Sequence, residues 1–451
     1  MLNSIFERGK RIFSGVKTTE MTSAEAFYNQ LYSYYGSNGL YDALMSASFY
    51  LDKWHEAMQP LRNPANRSVE FFVSKVMPGV LPSALPIMTE NDRIVDPIHR
   101  IWKWTNLSAK KSTAVRWLSI YGDLWIHPNS NPEMNRVYLQ FVRPQVITDW
   151  KEDERGNVIQ IRIDVSIGNG RLHTEYWTPE EYWIWEHSFG KNTPVNQLGG
   201  PVDFGFTSEL GIDFVPYVHV KFRDVGEKRG FGAYTHALDK IDEANRMATR
   251  LHQMLFRYNK PLWALQANGM DPTGRPLPPP SLPNKEPLTN DLSEDDVIRL
   301  PGNSSIDTMV PDIRYGDALS ILQDMMGEIE KDLPELAYYK MKEQGSLSGR
   351  AVRLLLSDAI DRALEARANL EQGLIRADQM ALTMGQSMGL WRNIGTYERG
   401  ELEHSFQERE IFPIGFIEKA EGMRTLVEAG VPFTEAALLA DIPLVGGDGR
   451  T

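Results

Sequence analysis

The chain contains no cysteine in 451 residues, which removes disulfides, thiolate nucleophiles and cysteine-ligated metals. Histidine is scarce, with nine in all, and none stands in H-E-x-x-H or H-x-x-x-H spacing. The acidic group Asp291 and Asp295-Asp296 has no second cluster to complete a two-metal site and reads as a solvated, serine-capped loop. A phosphate-binding loop is missing as well. The nearest fragment, Phe189-Gly190-Lys191-Asn192, lacks the upstream glycine and the hydroxyl residue that would hold magnesium. Gly199-Gly200-Pro201 is a turn, and no G-x-S-x-G elbow occurs. The expectation is a protein without catalytic residues, metal or cofactor. No apolar run reaches the roughly eighteen residues of a membrane-spanning helix, and Met1-Leu2-Asn3-Ser4-Ile5-Phe6-Glu7-Arg8 lacks a secretory h-region. A soluble protein made in the cytoplasm, with no membrane partner, is expected.

What is present is enough apolar material, 42% of the chain, for cores in about two to four modules. The net charge of -12 lacks the basic footprint of a tight phosphate binder, and many acidic proteins never meet nucleic acid. Charge alone decides nothing.

The first half reads as helices followed by strands. Residues 24–58 and 68–81 offer short helices, and Ile94 to Trp104 with Ala109 to Ile120 forms a helical pair that Gly122 ends. Strand patterns follow at Leu124 to His127, Arg136 to Val142, Val158 to Val165, Leu172 to Trp177 and Tyr182 to Glu186. Glu154-Arg155-Gly156-Asn157 and Gly168-Asn169-Gly170 read as hairpin turns between them. Eight of the eleven tryptophans fall in this block: Trp102, Trp104, Trp117, Trp125, Trp150, Trp177, Trp183 and Trp185. They read as core and interface anchors, because indole buries a large area.

The second half sends a helix out, makes a compact excursion, and returns in helix. Leu238, Ile241, Ala244, Ala248, Leu251 and Leu255 make one apolar stripe between about His236 and Tyr258. Asp239, Glu243, Arg246, Arg250 and Arg257 lie on another face, as a solvated or inter-subunit stripe. The run Asp271-Pro272-Thr273-Gly274-Arg275-Pro276-Leu277-Pro278-Pro279-Pro280 cannot be helix. Leu262 to Ala267 and Asp296 to Leu300 are strand candidates beside it, and Asp307 to Arg314 leads back. Helix resumes near Gly316 with Leu319, Leu322, Met326 and Ile329, and Pro334 breaks it. Asp332 to Ser348 reads as a kink or loop carrying Tyr338, Tyr339, Lys340 and Lys342. After it Ala351, Leu355, Ala359, Ala363, Ala366, Leu370, Leu374, Ala377 and Ala381 keep helical spacing over about forty residues. A coiled coil is the rival reading, but sustained large a/d residues are lacking.

At this point the chain resembles the portal proteins of tailed bacteriophages, the rings at one capsid vertex through which DNA is packaged and ejected. The likeness is carried by Asn66-Arg67-Ser68-Val69-Glu70-Phe71-Phe72, Trp102-Lys103-Trp104-Thr105-Asn106-Leu107, Lys110-Lys111 and Tyr121-Gly122-Asp123-Leu124-Trp125. The helix, knob and helix follow, then Ser346-Leu347-Ser348-Gly349-Arg350-Ala351 opening the long helix. The order extends over roughly residues 25–400, although each pattern is diffuse.

The resemblance implies an α+β, portal-like subunit assembling as a cyclic ring of about twelve copies. Its parts would be a mixed α/β wing (1–225), a flexible lead-in at Gly226 to Gly232 with the outgoing stem helix (226–258), and a small α/β clip (259–313). A returning stem helix (314–331), a channel loop (332–348), a long wing helix (349–395) and a short helical crown (396–451) would complete it. Implied partners are double-stranded DNA in the channel, the terminase large subunit, major capsid and scaffolding proteins, and a head-completion or tail adaptor. The location would be the virion vertex. An acidic wall with few basic points suits a conduit, since tight phosphate contacts would hinder sliding. Tyr338, Tyr339, Lys340 and Lys342 are the DNA-channel candidates, lysines near phosphates and tyrosines against the groove or one another; the tyrosines packing between neighbouring helices is the alternative. Another structural connector or capsid ring, or a nucleic-acid enzyme such as a terminase subunit, remains the alternative function.

Overall fold

A computed structural model describes residues 23–36, 63–131, 133–191, 193–258, 263–267, 273, 275, 304–308, 315–344, 349–412 and 416–439. The chain divides into two compact units, and the divisions fall inside helices Leu238–Tyr258 and Tyr315–Asp332. The larger unit holds the first half of the chain together with everything after Ile329.

In the larger unit, helices α1 (Ser23–Gly36), α2 (Pro64–Lys75), α3 (Val95–Thr105) and α4 (Leu107–Tyr121) precede the sheets. Asn63 starts α2 by accepting a hydrogen bond from the Asn66 amide, with Pro64 in the first turn where a missing N–H costs nothing. Asn106 ends α3 in the left-handed conformation, so α4 follows after a sharp turn. The expected helix over 68–81 stops at Lys75. Residues 37–58 of the other expected helix lie outside the described residues.

After the short strand β1 (Ile87–Met88), strands β2 (Asp123–Asn131), β3 (Arg136–Val142) and β9 (Val218–Lys221) form an antiparallel sheet in the order β3-β2-β9. Strands β4 (Ile147–Glu152), β5 (Val158–Gly168), β6 (Arg171–Trp177), β7 (Glu181–His187) and β8 (Asp203–Phe206) form an antiparallel meander in chain order. The two expected hairpins are present. Gly156, Asn169 and Gly170 take the positive φ that such turns require. Trp125, Ile147, Trp150, Val158, Ile161, Ile163, Trp177, Val215 and Tyr217 make a core of residues from both sheets. Trp102 and Trp185 are buried as well, whereas Trp104, Trp117 and Trp183 are half-buried, so five of the eight tryptophans expected as anchors are in cores.

The long helix is Ser357–Ser387, and it packs along β2, β9 and β3. Ala359, Ala363, Ala366, Leu370, Leu374, Ala377 and Ala381 are all buried, so small side chains let the helix axis approach the sheet closely. Gly373 marks the tightest point, where an added Cβ would collide with the Val220 side chain. The expected forty-residue helix is divided at Leu356, whose φ of -105 and ψ of 14 leave the helical range. Gly349–Leu355 is a separate short helix, and the exposed Leu355 lies off the buried stripe. Leu356 itself is buried, and its N–H to Val352 and its carbonyl to Ile360 keep the backbone bonding continuous across the bend. Arg367, on the same helix, donates to the carbonyls of Lys75, Val76 and Arg409. It thus caps the C-terminal end of α2, while burial pushes its guanidinium down to about 10.

In the segment expected as a flexible lead-in, Gly226 to Gly232, the last three residues are held by hydrogen bonds while 226–228 are exposed. The Gly230 amide donates to Asp123 Oδ1 at 2.8 Å, Phe231 to the Arg223 carbonyl at 3.1 Å and Gly232 to Thr235 Oγ1 at 3.1 Å. Gly122, at φ +79, faces it so closely that a Cβ would stand 2.5 Å from the Gly230 carbonyl oxygen and 2.6 Å from the Gly232 nitrogen. Glycine at both positions allows two backbones to touch, which composition alone does not announce.

The smaller unit contains most of Leu238–Tyr258, the N-terminal part of Tyr315–Asp332, and an antiparallel pair, Trp263–Ala267 with Ser304–Thr308. The first strand agrees with expectation. The second includes Asp307, which the sequence reading assigned to the return path. The expected strand Asp296 to Leu300 and most of the proline run lie outside the described residues. After the long helix, Ser405–Phe406 pairs with Ile87–Met88, and helices Phe416–Glu428 and Phe433–Leu439 follow.

Candidate functional site

The four candidate channel residues sit on a helix, not on a loop. Asp332 ends the preceding helix, Leu333 to Glu335 make a turn around Pro334, and a new helix spans Leu336–Gln344. The physical reason is local: proline at 334 denies the preceding helix an amide donor but suits the start of the next one, and Leu336 to Lys342 contains no residue that opposes helix.

This helix presents its two tyrosines and two lysines to different surroundings. Tyr338 packs on Phe71 with ring centroids 5.6 Å apart and on Phe412 at 5.8 Å, while Lys75 Nζ lies 5.1 Å from its ring centre. Burial pulls the Lys75 ammonium down from its usual range. The Tyr339 hydroxyl donates to the Arg67 carbonyl at 3.0 Å, and burial first, then Glu70, holds its phenol above the ordinary value. Both tyrosines therefore dock the helix onto α2, the alternative that the sequence left open. Lys340 and Lys342 are exposed. Lys340 pairs with Glu330 at 2.6 Å across the turn, a contact at the surface that stays available for exchange.

Sequence reasoning missed the root of this helix. Glu335 is fully buried. Its carboxylate accepts from Ser68 Oγ and from Arg362 Nη1, the latter at 2.6 Å. Arg362, on the long helix, also donates to the carbonyls of Ala233 and Asp332, and its guanidinium lies 5.5 Å from the Phe72 ring centre. His236 Nε2 meets the Asp332 carbonyl at 2.8 Å, and Lys240 pairs with the Asp332 carboxylate at 2.7 Å. Burial raises the Glu335 carboxyl and the Arg362 charge works against that rise. The available signal was a lone acid between Leu333-Pro334 and Leu336, since a charge inside an apolar run asks for a partner.

A second buried ionic group lies between the two sheets. His219 Nε2 meets Asp123 Oδ1 at 2.8 Å and Nδ1 meets Glu152 Oε1 at 2.7 Å. Asp123 also accepts from the Tyr28 hydroxyl at 2.5 Å and from the Gly230 amide. Burial lowers the His219 pKa, but the two carboxylates outweigh it and the net shift is upward. Among the described residues no cluster of three or more His, Asp or Glu forms a metal-binding group, and no helix is long and apolar enough to cross a membrane.

The described residues make a mixed α/β protein with a long small-residue helix packed across its three-stranded sheet. The chain matches the family described as phage portal protein, SPP1 Gp6-like, over residues 28–397, and it belongs to that family. No curated protein matches it. Among solved structures, it is similar to chains from the neck of an empty GTA particle computed with C6 symmetry, at 13% identity and a TM-score of 0.48, covering 84% of this chain and 90% of that one. It is similar also to a chain of the virion of a native gene transfer agent particle, at 12% identity and a TM-score of 0.43, and to one from the neck of a native GTA particle computed with C12 symmetry, at 12% and 0.45; both cover 84% of this chain and 90% of the other.

Proposed function

We propose that this chain is the portal subunit of a phage-type particle, forming a ring at one capsid vertex through which double-stranded DNA enters and leaves. The observation that carries the reading is the family match over residues 28–397. The ring would hold about twelve copies, closed by head-to-tail contacts that repeat until they shut. In this assembly, residues 259–313 form the clip that docks the terminase large subunit and later a head-completion or tail adaptor. The outer surface meets capsid and scaffolding proteins, and residues 396–451 form a short crown. The helix Leu336–Gln344 is the channel element. Lys340 and Lys342 are its DNA-facing groups, supported by their exposure on a helix whose tyrosines are occupied in packing.

Electron microscopy with class averaging and native mass of the purified chain tests the reading. Rings of about twelvefold symmetry with a central hole are expected; a compact monomer or dimer under all assembly conditions would overturn it. A ring without a central hole lined by helices would favour another type of connector. The channel role has its own test. Lys340→Ala with Lys342→Ala should leave rings intact and change the length of DNA retained on packaging, and unchanged packaging would remove these lysines from the channel. Exchange of residues 270–285 should spare the ring and weaken motor docking.

A further inference from the structure

We infer that Arg362 is a positioning residue for the helix Leu336–Gln344, acting through Glu335, and that it couples the long helix to the orientation of Lys340 and Lys342. The inference rests on the channel role proposed for those lysines, but the coupling itself is a property of the subunit.

The argument begins with where the segment is held. Among the described residues its exposed edge is held by Lys340 pairing with Glu330, and that partner is on the neighbouring turn of the same stretch of chain. The tyrosines fix one face against α2. The root, Asp332 to Glu335, is where elements distant in sequence converge on a few atoms. Ser68 comes from α2, Arg362 from the long helix, Ala233 and His236 from the segment leading into Leu238–Tyr258, and Lys240 from the first turn of that helix.

Arg362 alone touches three of these groups at once: the Glu335 carboxylate, the Asp332 carbonyl and the Ala233 carbonyl. The planar guanidinium is suited to this, because its donors diverge in one plane and cannot adjust independently. A displacement of the long helix therefore shifts the root of Leu336–Gln344 and the segment leading into Leu238–Tyr258 together. Glu335 is fully buried, and losing Arg362 leaves its carboxylate without its ionic partner. The geometry favours re-orientation of the segment over independent flexing at its root.

The absence of cysteine makes the test direct, since one introduced thiol is the only labelling site. A nitroxide on Lys342→Cys in the full chain reports nanosecond motion of the segment. The same label on Ile167→Cys in a separate variant, in the exposed β5 to β6 hairpin, serves as the reference. Arg362→Met should cause loss of the slow-motion component at position 342 with the spectrum at 167 unchanged and the native mass unchanged. Ser68→Ala, which removes one hydrogen bond and leaves no charge unpaired, should cause a smaller loss in the same direction. If Arg362→Met fails to fold, the neutral pair Glu335→Gln with Arg362→Gln takes its place. That pair retains hydrogen bonding and should recover most of the slow component lost in Glu335→Ala.

Unchanged spectra at 342 in folded Arg362→Met, or equal changes at 342 and 167, would overturn the positioning role. Failure of the channel reading would appear elsewhere, as wild-type packaging by the lysine double variant with the label response intact.

Discussion

Buried charge sets the sharpest expectations at the scale of single residues. Arg362→Met removes one member of a buried pair and should destabilise the larger unit by about 3–5 kcal/mol. Lys340→Ala, at an exposed pair, should change stability by less than about 1 kcal/mol; denaturant titration of both variants measures the contrast. His219 gives a pH dependence with a defined sign. Its folded pKa is raised by Asp123 and Glu152 against the effect of burial, so its stabilisation is complete below the unfolded value of about 6.5 and is lost as pH rises through the folded value. The melting temperature should fall on the alkaline side, and His219→Gln should flatten that slope. Glu152 acts on the opposite side: burial raises its pKa, but His219 and other partners bring the net shift down, so its contribution fades as the pH falls into the carboxylate range. Tyr338 and Lys340 were legible as a group in the sequence, yet their division into packing and exposed roles was not. Adjacent positions on a helix point in different directions, and only the location of α2 decides which side is covered.

Individual elements were legible in proportion to how local their causes are. β3, β5, β6 and β7 announce themselves by β-branched and aromatic alternation, and the helical pair before Gly122 by its period. β4, β8 and β9 passed unnoticed. Ile147–Glu152 mixes charges into its alternation, and Asp203–Phe206 and Val218–Lys221 are only four residues each, so their pairing partners define them. The helix at Leu336–Gln344 was expected as a loop because Pro334 and the glycines beyond it were weighed over the good helix formers between. In the long helix the alanine stripe was plain, while the break at Leu356 was not, since neither proline nor glycine marks it. The same helix offers a test of close approach. Gly373→Ala forces a methyl group into Val220 and should cost about 1–3 kcal/mol despite the better helix propensity of alanine, readable as a drop in melting temperature.

Across the whole molecule, the sequence patterns anticipated a mixed fold with a helix-bounded excursion, and the family match extends over most of the length. What sequence could not supply was the set of hydrogen bonds to charged groups that join distant segments: Tyr28 to Asp123, Ser68 to Glu335, Lys191 to Glu25 and Arg367 to the Lys75 carbonyl. Each joins stretches separated by many residues, and no periodicity encodes such a pairing. These contacts also predict cooperative behaviour. Heat unfolding of the larger unit should show coincident loss of helix and of near-ultraviolet tryptophan signal; separate transitions would place α1 and α2 outside that unit.

The contact between Gly122 and the Gly230 to Gly232 backbone has a consequence for sequence drift. Each glycine is constrained by the other's main chain, and main chain cannot be mutated away. A substitution at Gly122 cannot be rescued by any side-chain change opposite it, because Gly230 has no side chain to give up. Compensation would require moving a backbone that Asp123 already holds through the Gly230 amide. The exposed turn at Gly226, where an added Cβ meets nothing, is bound only by the cost of its positive φ. Within seven residues, the chain passes from a position free to exchange glycine for asparagine to one with no single-step neighbour in sequence space.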